Sequence, residues 1–412
     1  MDTPDMHPVR YVNEMLARDT LRTGPYDIAA IMERLPVTHS DFMGPSTSAM
    51  FRAFADKRRR LREFLFTGVE QNLMALEHKT LLFLEEANSE RVKALTSKFL
   101  KIYLPNIFIC TIASAINLTT KKGLWRRPSR KWDTVLLDEA SMIPEATLIG
   151  LLSRFPDATY TLIGDTKQLP PFVGTQKAPR AAALCSQSVL EVAKRVGNVP
   201  TCKISTVYRP HARIMELNFY IFYNNELVCG TPVDERQALL RSLPMPNKEI
   251  PIAFVDVLGK AVKSITGSQN NTIEARAAAV LVRLLGIPPG DIMIICLYRD
   301  QLYLCESILA NTHVTIKTVD SAQGSEKSIV ILCTTRTKVL GTNLTFFDDP
   351  ERLNVALSRA RDGMFILGSV PSMENSSLRG SIILDFQRPT LLISSWLTPL
   401  LNAAVAVPPR NE

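Results

Sequence analysis

Residues 134–141, TVLLDEAS, and residues 160–171, YTLIGDTKQLPP, decide how this chain reads. In each, a short apolar run empties into a polar loop, as a buried strand of an α/β sheet does at its carboxyl end. In the first stretch Val135, Leu136 and Leu137 form the strand, and Asp138 and Glu139 follow it. Two adjacent acids there can divide labour, one holding Mg²⁺ through its water shell and the other activating an attacking water. A solvated turn accounts for an isolated acidic pair equally well. The second stretch adds spacing. Parallel neighbouring strands bring both loops to one sheet edge, where a ligand crevice forms, and Gln168 then reaches a γ-phosphate or its attacking water. A Gly164–Asp165 turn stiffened by Pro170 and Pro171 explains the bend but not its pairing with the acids.

Working outward, similar apolar runs predict strands at Ile107 to Ile112, Thr134 to Leu137, Tyr160 to Ile163, Ile252 to Val257, Ile292 to Cys296, Ile316 to Thr318, Ile329 to Cys333 and Met364 to Leu367. Runs apolar on both faces point to parallel sheets. From about Thr47 to Leu104, apolar residues recur three and four apart among Lys, Arg and Glu, as in a helical hairpin. Its basic stretch, Lys57 to Arg60 with Arg62, fits a solvated helix face at least as well as a nucleic-acid contact. Gly197, Asn198 and Pro200 suggest a domain boundary between about Val196 and Cys202, and a second loop-rich patch spans Ser242 to Pro251.

At 412 residues the chain exceeds one core, so two or three domains are expected; 46% hydrophobic residues make disorder a poor reading. A formal charge of +8 favours an anionic partner. The seven cysteines, Cys110, Cys185, Cys202, Cys229, Cys296, Cys305 and Cys333, form no Cys-x-x-Cys pair and have no His at zinc-ligand spacing. Buried, reduced thiols of an intracellular protein, nuclear or cytoplasmic, are expected. No charged-then-apolar leader opens the chain, and its longest apolar run, about Ile107 to Ile116, is too short to span a bilayer.

Further segments follow in order: Val207-Tyr-Arg-Pro-His211 with Phe222, Tyr223, Asn224 and Leu227; Tyr298 and Gln301 after a strand; Thr318-Val-Asp-Ser-Ala-Gln-Gly-Ser-Glu326; and Leu353-Asn-Val-Ala-Leu-Ser-Arg-Ala-Arg361. With the two opening stretches they resemble the motifs of superfamily 1 helicases, especially the group of the nonsense-mediated-decay helicase, or regulator of nonsense transcripts. Pro210, Ala212 and Leu297 depart from that group, which has Met, Pro and Pro there. The resemblance covers roughly Asn106 to Leu400 and includes a helix at Trp396 to Leu401.

It implies an α/β fold of two RecA-like parallel-sheet domains: an incomplete first domain at 1–198 with a helical insertion at about 47–104, a second at 199–400, and a tail at 401–412. ATP would lie between the domains and one nucleic-acid strand across their top. The resemblance places Asp138 on Mg²⁺ and Glu139 beside the attacking water. It puts Gln168 and Arg209 at the γ-phosphate and Arg359 in the arginine-finger role. Glu326, Gly324 and Arg361 would hold the nucleotide, Glu326 through its sugar. Thr318, Asp320, Ser321 and Gln323 would contact nucleic acid. The loop Lys121 to Trp132 carries Lys121, Lys122, Arg126, Arg127, Arg130 and Lys131 with Trp125, a combination suited to phosphate contact and base stacking; a solvated basic loop is the plainer alternative, and Trp132 suits a core position.

A phosphate-gripping loop needs Gly-x-x-x-x-Gly-Lys-Ser/Thr, and the 412 residues contain no such string. The expectation is that this segment lies upstream of Met1 and that the chain alone hydrolyses ATP slowly or not at all. The function expected is an ATP-dependent helicase or translocase on single-stranded RNA or DNA, travelling 5′ to 3′, with protein partners in an RNA-processing complex. The alternative is a non-catalytic nucleic-acid-binding scaffold derived from such a motor.

Overall fold

The structure is a computed structural model. It describes residues 6–11, 24–66, 95–120, 123, 132–172, 187–232, 234–245, 247–257, 259–337 and 349–369, with backbone alone at 60–66. The fold is α/β, and the chain forms two compact units, 1–138 with 144–163, and 139–143 with 164–412.

The first unit contains β1 (Pro8–Arg10), α1 (Ile28–Thr38), α2 (Pro45–Phe66), β2 (Ile107–Ile109), α3 (Ile112–Leu118), β3 (Thr134–Leu137), α4 (Glu145–Leu152) and β4 (Thr159–Leu162). β1 pairs with β2 and β3 with β4, both parallel. The helix expected after Thr47 is present as α2, and residues 95–103 are helical; 67–94 lie outside the described residues. Val9, Ile31, Met32, Leu35, Phe51, Phe54 and Phe99 bury together between these helices and β1. The strand expected over Ile107 to Ile112 stops at Ile109. Thr111 ends it, because its hydroxyl accepts the Ser114 amide at 3.2 Å and caps α3.

The second unit contains α5 (Val189–Val196), β5 (Thr206–Val207), α6 (Ala212–Phe222), β6 (Val228–Cys229), α7 (Ala238–Ser242), β7 (Ile252–Asp256), β8 (Val262–Lys263), β9 (Gln269–Asn270), α8 (Thr272–Leu284), β10 (Ile292–Cys296), α9 (Arg299–Ile308), β11 (Thr315–Thr318), α10 (Val319–Ala322), β12 (Lys327–Cys333), α11 (Pro350–Leu357) and β13 (Ala360–Gly368). Five of its strands form one wholly parallel sheet in the order β11-β10-β12-β13-β7.

Alternate residues of this sheet bury on opposite faces. Met293, Ile295, Val330, Leu332, Met364 and Ile366 pack with α6, α10 and α11, whereas Ile292, Ile294, Ile329, Ile331 and Phe365 pack with α7, α8 and α9. Helices on both faces explain why these strands read as unbroken apolar runs. Asn271 caps α8 by accepting the Glu274 amide at 3.2 Å. The burial expected of the cysteines holds for Cys296, Cys305 and Cys333; Cys110 and Cys229 are partly covered and Cys202 is exposed. No helix among the described residues is long and apolar enough to cross a membrane.

Candidate functional site

Five of the charged residues singled out in the sequence, Glu139, Arg209, Glu326, Arg359 and Arg361, gather in the second unit beside the amino ends of β12 and β13. Glu326 immediately precedes β12, and Arg359 and Arg361 flank the first residue of β13. The strands are locked there by the Lys327 amide donating to Arg359 O at 3.2 Å. Arg209 arrives from the loop after β5, its carbonyl held by Arg236 Nε at 3.0 Å, and the His211 amide donates to Arg361 O at 2.8 Å. Glu326 bridges two guanidinium groups: Arg209 Nε donates to its Oε2, and Arg361 Nη1 lies 3.8 Å from its Oε1. Arg361 also donates to Ser328 Oγ at 3.0 Å, and its buried Nε has no hydrogen-bond partner.

Arg359 is buried to 1% exposure. Its Nε donates to Val355 O at 2.9 Å, and its Nη2 donates to Ser358 Oγ at 2.7 Å and Gln168 Oε1 at 3.3 Å. Burial, and then the neighbouring Arg209, pull its pKa from 12.5 down to about 10 against the opposing pull of Glu139, Tyr223 and Glu326. The other end of Gln168 donates from Nε2 to Asp165 Oδ2 at 3.3 Å. Asp165 also accepts the Lys167 amide at 2.9 Å and the Tyr223 hydroxyl. Asn354 Nδ2 completes the chain, donating to Tyr223 Oη at 2.8 Å and to Lys167 O at 2.9 Å. Burial, then the Asp165 carboxylate, push the Tyr223 phenol well above its ordinary range.

Glu139 stands in the left-handed region, φ 51 and ψ 41, at the entry to a 3₁₀ turn over Ala140–Met142, a strained place for a side-chain-bearing residue. Its Oε2 accepts Gln323 Nε2 at 2.8 Å, leaving the buried Gln323 Oε1 without a partner. Gly164 lies against this turn: a Cβ there would sit 2.8 Å from Ala140 N, so the Gly of the second stretch is required sterically. Gly324, next to Gln323, takes φ 70. Asp138 is exposed at the end of β3 in the first unit.

Thr318 and Ser321 cap each other, Thr318 N donating to Ser321 Oγ at 3.0 Å and Ser321 N to Thr318 Oγ1 at 3.4 Å. Asp320 pairs with Arg352 Nε at 3.0 Å. Trp125, Arg126, Arg127 and the helix expected at Trp396 to Leu401 lie outside the described residues; Trp132 is partly covered and packs on Phe108 in the first unit.

Residues 185–371 match a family model described as an AAA domain. A regulator of nonsense transcripts 1 homolog of Neurospora crassa is 29% identical over 77% of this chain and 29% of its own length. The chain belongs to the superfamily 1 helicases, in the group of the regulators of nonsense transcripts. This superfamily 1 chain is also 31% identical to an uncharacterized ATP-dependent helicase of Caenorhabditis elegans, over 72% of this chain and 19% of that protein. A 5′-3′ DNA helicase of Mus musculus is 31% identical over 61% of this chain and 14% of its own. The chain thus spans less than a third of each of these relatives.

Chemically, three guanidinium groups share the cluster with Glu139 and Glu326, and burial, followed by the neighbouring Arg209, lowers the pKa of Arg359. With the unpartnered Arg361 Nε, this set fits a polyphosphate, which accepts charge-assisted hydrogen bonds from arginine. The exposed carboxylate of Asp138 is an oxygen ligand of the kind Mg²⁺ takes. The sequence reading singled out the charged residues of this cluster, but it missed the supporting contacts of Asp165, Tyr223 and Asn354. Their only signal was membership of three separate motifs whose side chains meet at one point.

Proposed function

We propose that this superfamily 1 chain belongs to an ATP-dependent translocase that steps 5′ to 3′ along single-stranded RNA or DNA as two RecA-like domains, 1–198 and 199–400, open and close. The observation that carries the reading is the convergence of Glu139, Gln168, Arg209, Arg359, Arg361 and Glu326, residues from five separated segments, in one hydrogen-bonded and charged cluster. The direction is carried over from the mouse relative, named a 5′-3′ helicase.

In this reading Mg²⁺, when bound, neutralises phosphate charge and Asp138 helps to hold it. Glu139 takes the proton of the attacking water, positioned beside Gln168. Arg209 and Arg359 stabilise charge on the transferred phosphoryl group, which requires Arg359 to move out from its cover. Glu326, Gly324 and Arg361 receive the nucleotide, so the Glu326 bridge to Arg209 and Arg361 opens when it binds. Thr318, Asp320, Ser321 and Gln323 contact the nucleic-acid strand in this reading, and Trp125, Arg126 and Arg127, outside the described residues, are assigned to the same partner from their residue types alone. The contact from Gln323 to Glu139 supports coupling between strand and phosphate. The setting is intracellular, nuclear or cytoplasmic, with partners in RNA processing.

The test is nucleic-acid-stimulated ATP hydrolysis, with Glu139→Gln as the blank, on the 412-residue chain and on the same chain with any in-frame sequence encoded upstream of Met1. Stimulated turnover abolished by Glu139→Gln, with strand binding retained, is the expected result. Strand binding without turnover in either form would replace the motor with a binding scaffold.

A further inference from the structure

In the large sheet the strand order reverses between β10 and β12. From β10 the chain crosses to β11 on one side, then returns past β10 to β12 on the other. Open α/β sheets receive ligands at the carboxyl ends of the strands beside such a reversal. The charged cluster described above lies at the opposite, amino ends of β12 and β13. At the carboxyl ends the structure has sulfur.

Cys296 and Cys333 are the last residues of β10 and β12 and stand opposite one another in register. Cys305 reaches them from α9, and all three are fully buried, 0% exposed. Their Sγ atoms lie within 4.8 Å of one another, the one such cluster of potential metal ligands among the described residues. We propose that Cys296, Cys305 and Cys333 form a buried three-sulfur site for a thiophilic d¹⁰ cation, Zn²⁺ or Cu⁺, distinct from the nucleotide-facing cluster.

Size, donor chemistry and surroundings support the assignment. Three sulfurs around a common ion at about 2.3 Å lie about 4 Å apart, so each sulfur needs to move inward by only about half an ångström. A wholly sulfur set selects soft ions and rejects Mg²⁺ and Ca²⁺. A disulfide would use two of the sulfurs and leave the third unexplained.

The thiols already interact as a group. Hydrogen bonds among the sulfurs, and then burial, push Cys296 and Cys333 up, whereas hydrogen bonds from those two pull Cys305 down. Around them, the fully buried Gln301 donates its amide Nε2 toward Cys305 Sγ at 4.0 Å while its Oε1 accepts the Asn271 amide at 2.7 Å. This is the outer support expected of a ligand sulfur. Glu274, the acid whose charge acts on Cys296, is occupied: its two oxygens accept the Thr335 amide at 2.9 and 3.0 Å. On binding, each ligating S–H becomes a thiolate and releases its proton to solvent; no electron is transferred.

The experiment uses the full chain under reducing conditions with Cys110, Cys185, Cys202 and Cys229 replaced by Ser, titrated with Cd²⁺ alone. The expected result is a thiolate-to-metal absorption band in the ultraviolet that saturates at one equivalent. Elemental analysis of the chain as purified then distinguishes zinc from copper. Cys305→Ala should abolish the one-equivalent endpoint, and Cys305→Val repeats the test with the core volume kept, the metal-free thermal midpoint confirming folding. Absence of the band, or a band unchanged in the folded Cys305 variants, would overturn the proposal.

Discussion

Replacing Arg359 by Met should separate stability from activity more sharply than any other change in the cluster. Arg359 is 1% exposed, so its cation is folded into a dry site. Its pKa falls from 12.5 to about 10, which at about 1.4 kcal/mol per pH unit sets about 3 kcal/mol against the charged form. In return it donates to Val355 O, Ser358 Oγ and Gln168 Oε1. At about 1.5 kcal/mol for each bond from a charged donor, these restore about 4 to 5 kcal/mol. The two sides nearly cancel. Met keeps the apolar stem and removes both charge and bonds, so Arg359→Met should cost the second unit about 1 kcal/mol. Arg359→Ala also leaves a cavity and should cost about 3 kcal/mol or more.

Because the chain has two compact units, the appropriate assay is hydrogen exchange of the β12 and β13 amides, which reads the opening free energy of this sheet directly. If Gln168 and Arg359 work on the phosphate as proposed, ATP turnover of the form extended by the upstream in-frame sequence drops about 10³-fold or more in Arg359→Met despite the intact sheet. A fall in β13 protection beyond about a hundredfold, roughly 3 kcal/mol, would refute the reasoning. It would show that the buried guanidinium is a net support of the fold.

Tyr223→Phe removes the hydroxyl that links Asn354 to Asp165. Gln168 then has a less firmly held partner, so kcat for ATP should fall about tenfold with little change in KM; an equal loss in stability with unchanged kcat would make Tyr223 a packing residue only. His211, 6% exposed, has its pKa lowered, chiefly by burial and then by Arg213. The unfolded chain therefore takes up its proton first as pH falls: the neutral-histidine contribution is intact above the ordinary pKa of 6.5 and is lost progressively as pH drops below it toward the lowered folded value. His211→Gln should flatten the decline in thermal midpoint between pH 7 and pH 5, and an equally steep decline in the variant would exclude His211 as its source.

The local patterns of the chain were enough to establish the five strands of its large parallel sheet, its α/β class and the order of its motifs, but not the two- and three-residue strands β1, β5, β6, β8 and β9, which are too short to carry a periodicity. An apolar run buried on both faces, or a cap such as Asn271 three residues before Glu274, is written in neighbouring residues and needs no distant partner. The same locality explains the error at Ile107 to Ile112, where Thr111 turned an apparently continuous run into a helix start through one hydroxyl.

Only the tertiary structure decided which side chains meet. Gln323 on Glu139, Arg209 and Arg361 on one carboxylate, and Asp165 under Tyr223 and Gln168 join residues up to 184 positions apart. No periodicity encodes those distances. The cysteines make the same point. Their spacing in sequence contains no Cys-x-x-Cys pair and argued against a metal, yet two parallel strand ends and one helix bring three sulfurs together. In a parallel sheet, strands adjacent in space are separated in the chain by whole crossover connections, so ligand sets assembled at their ends carry no short-range spacing to read.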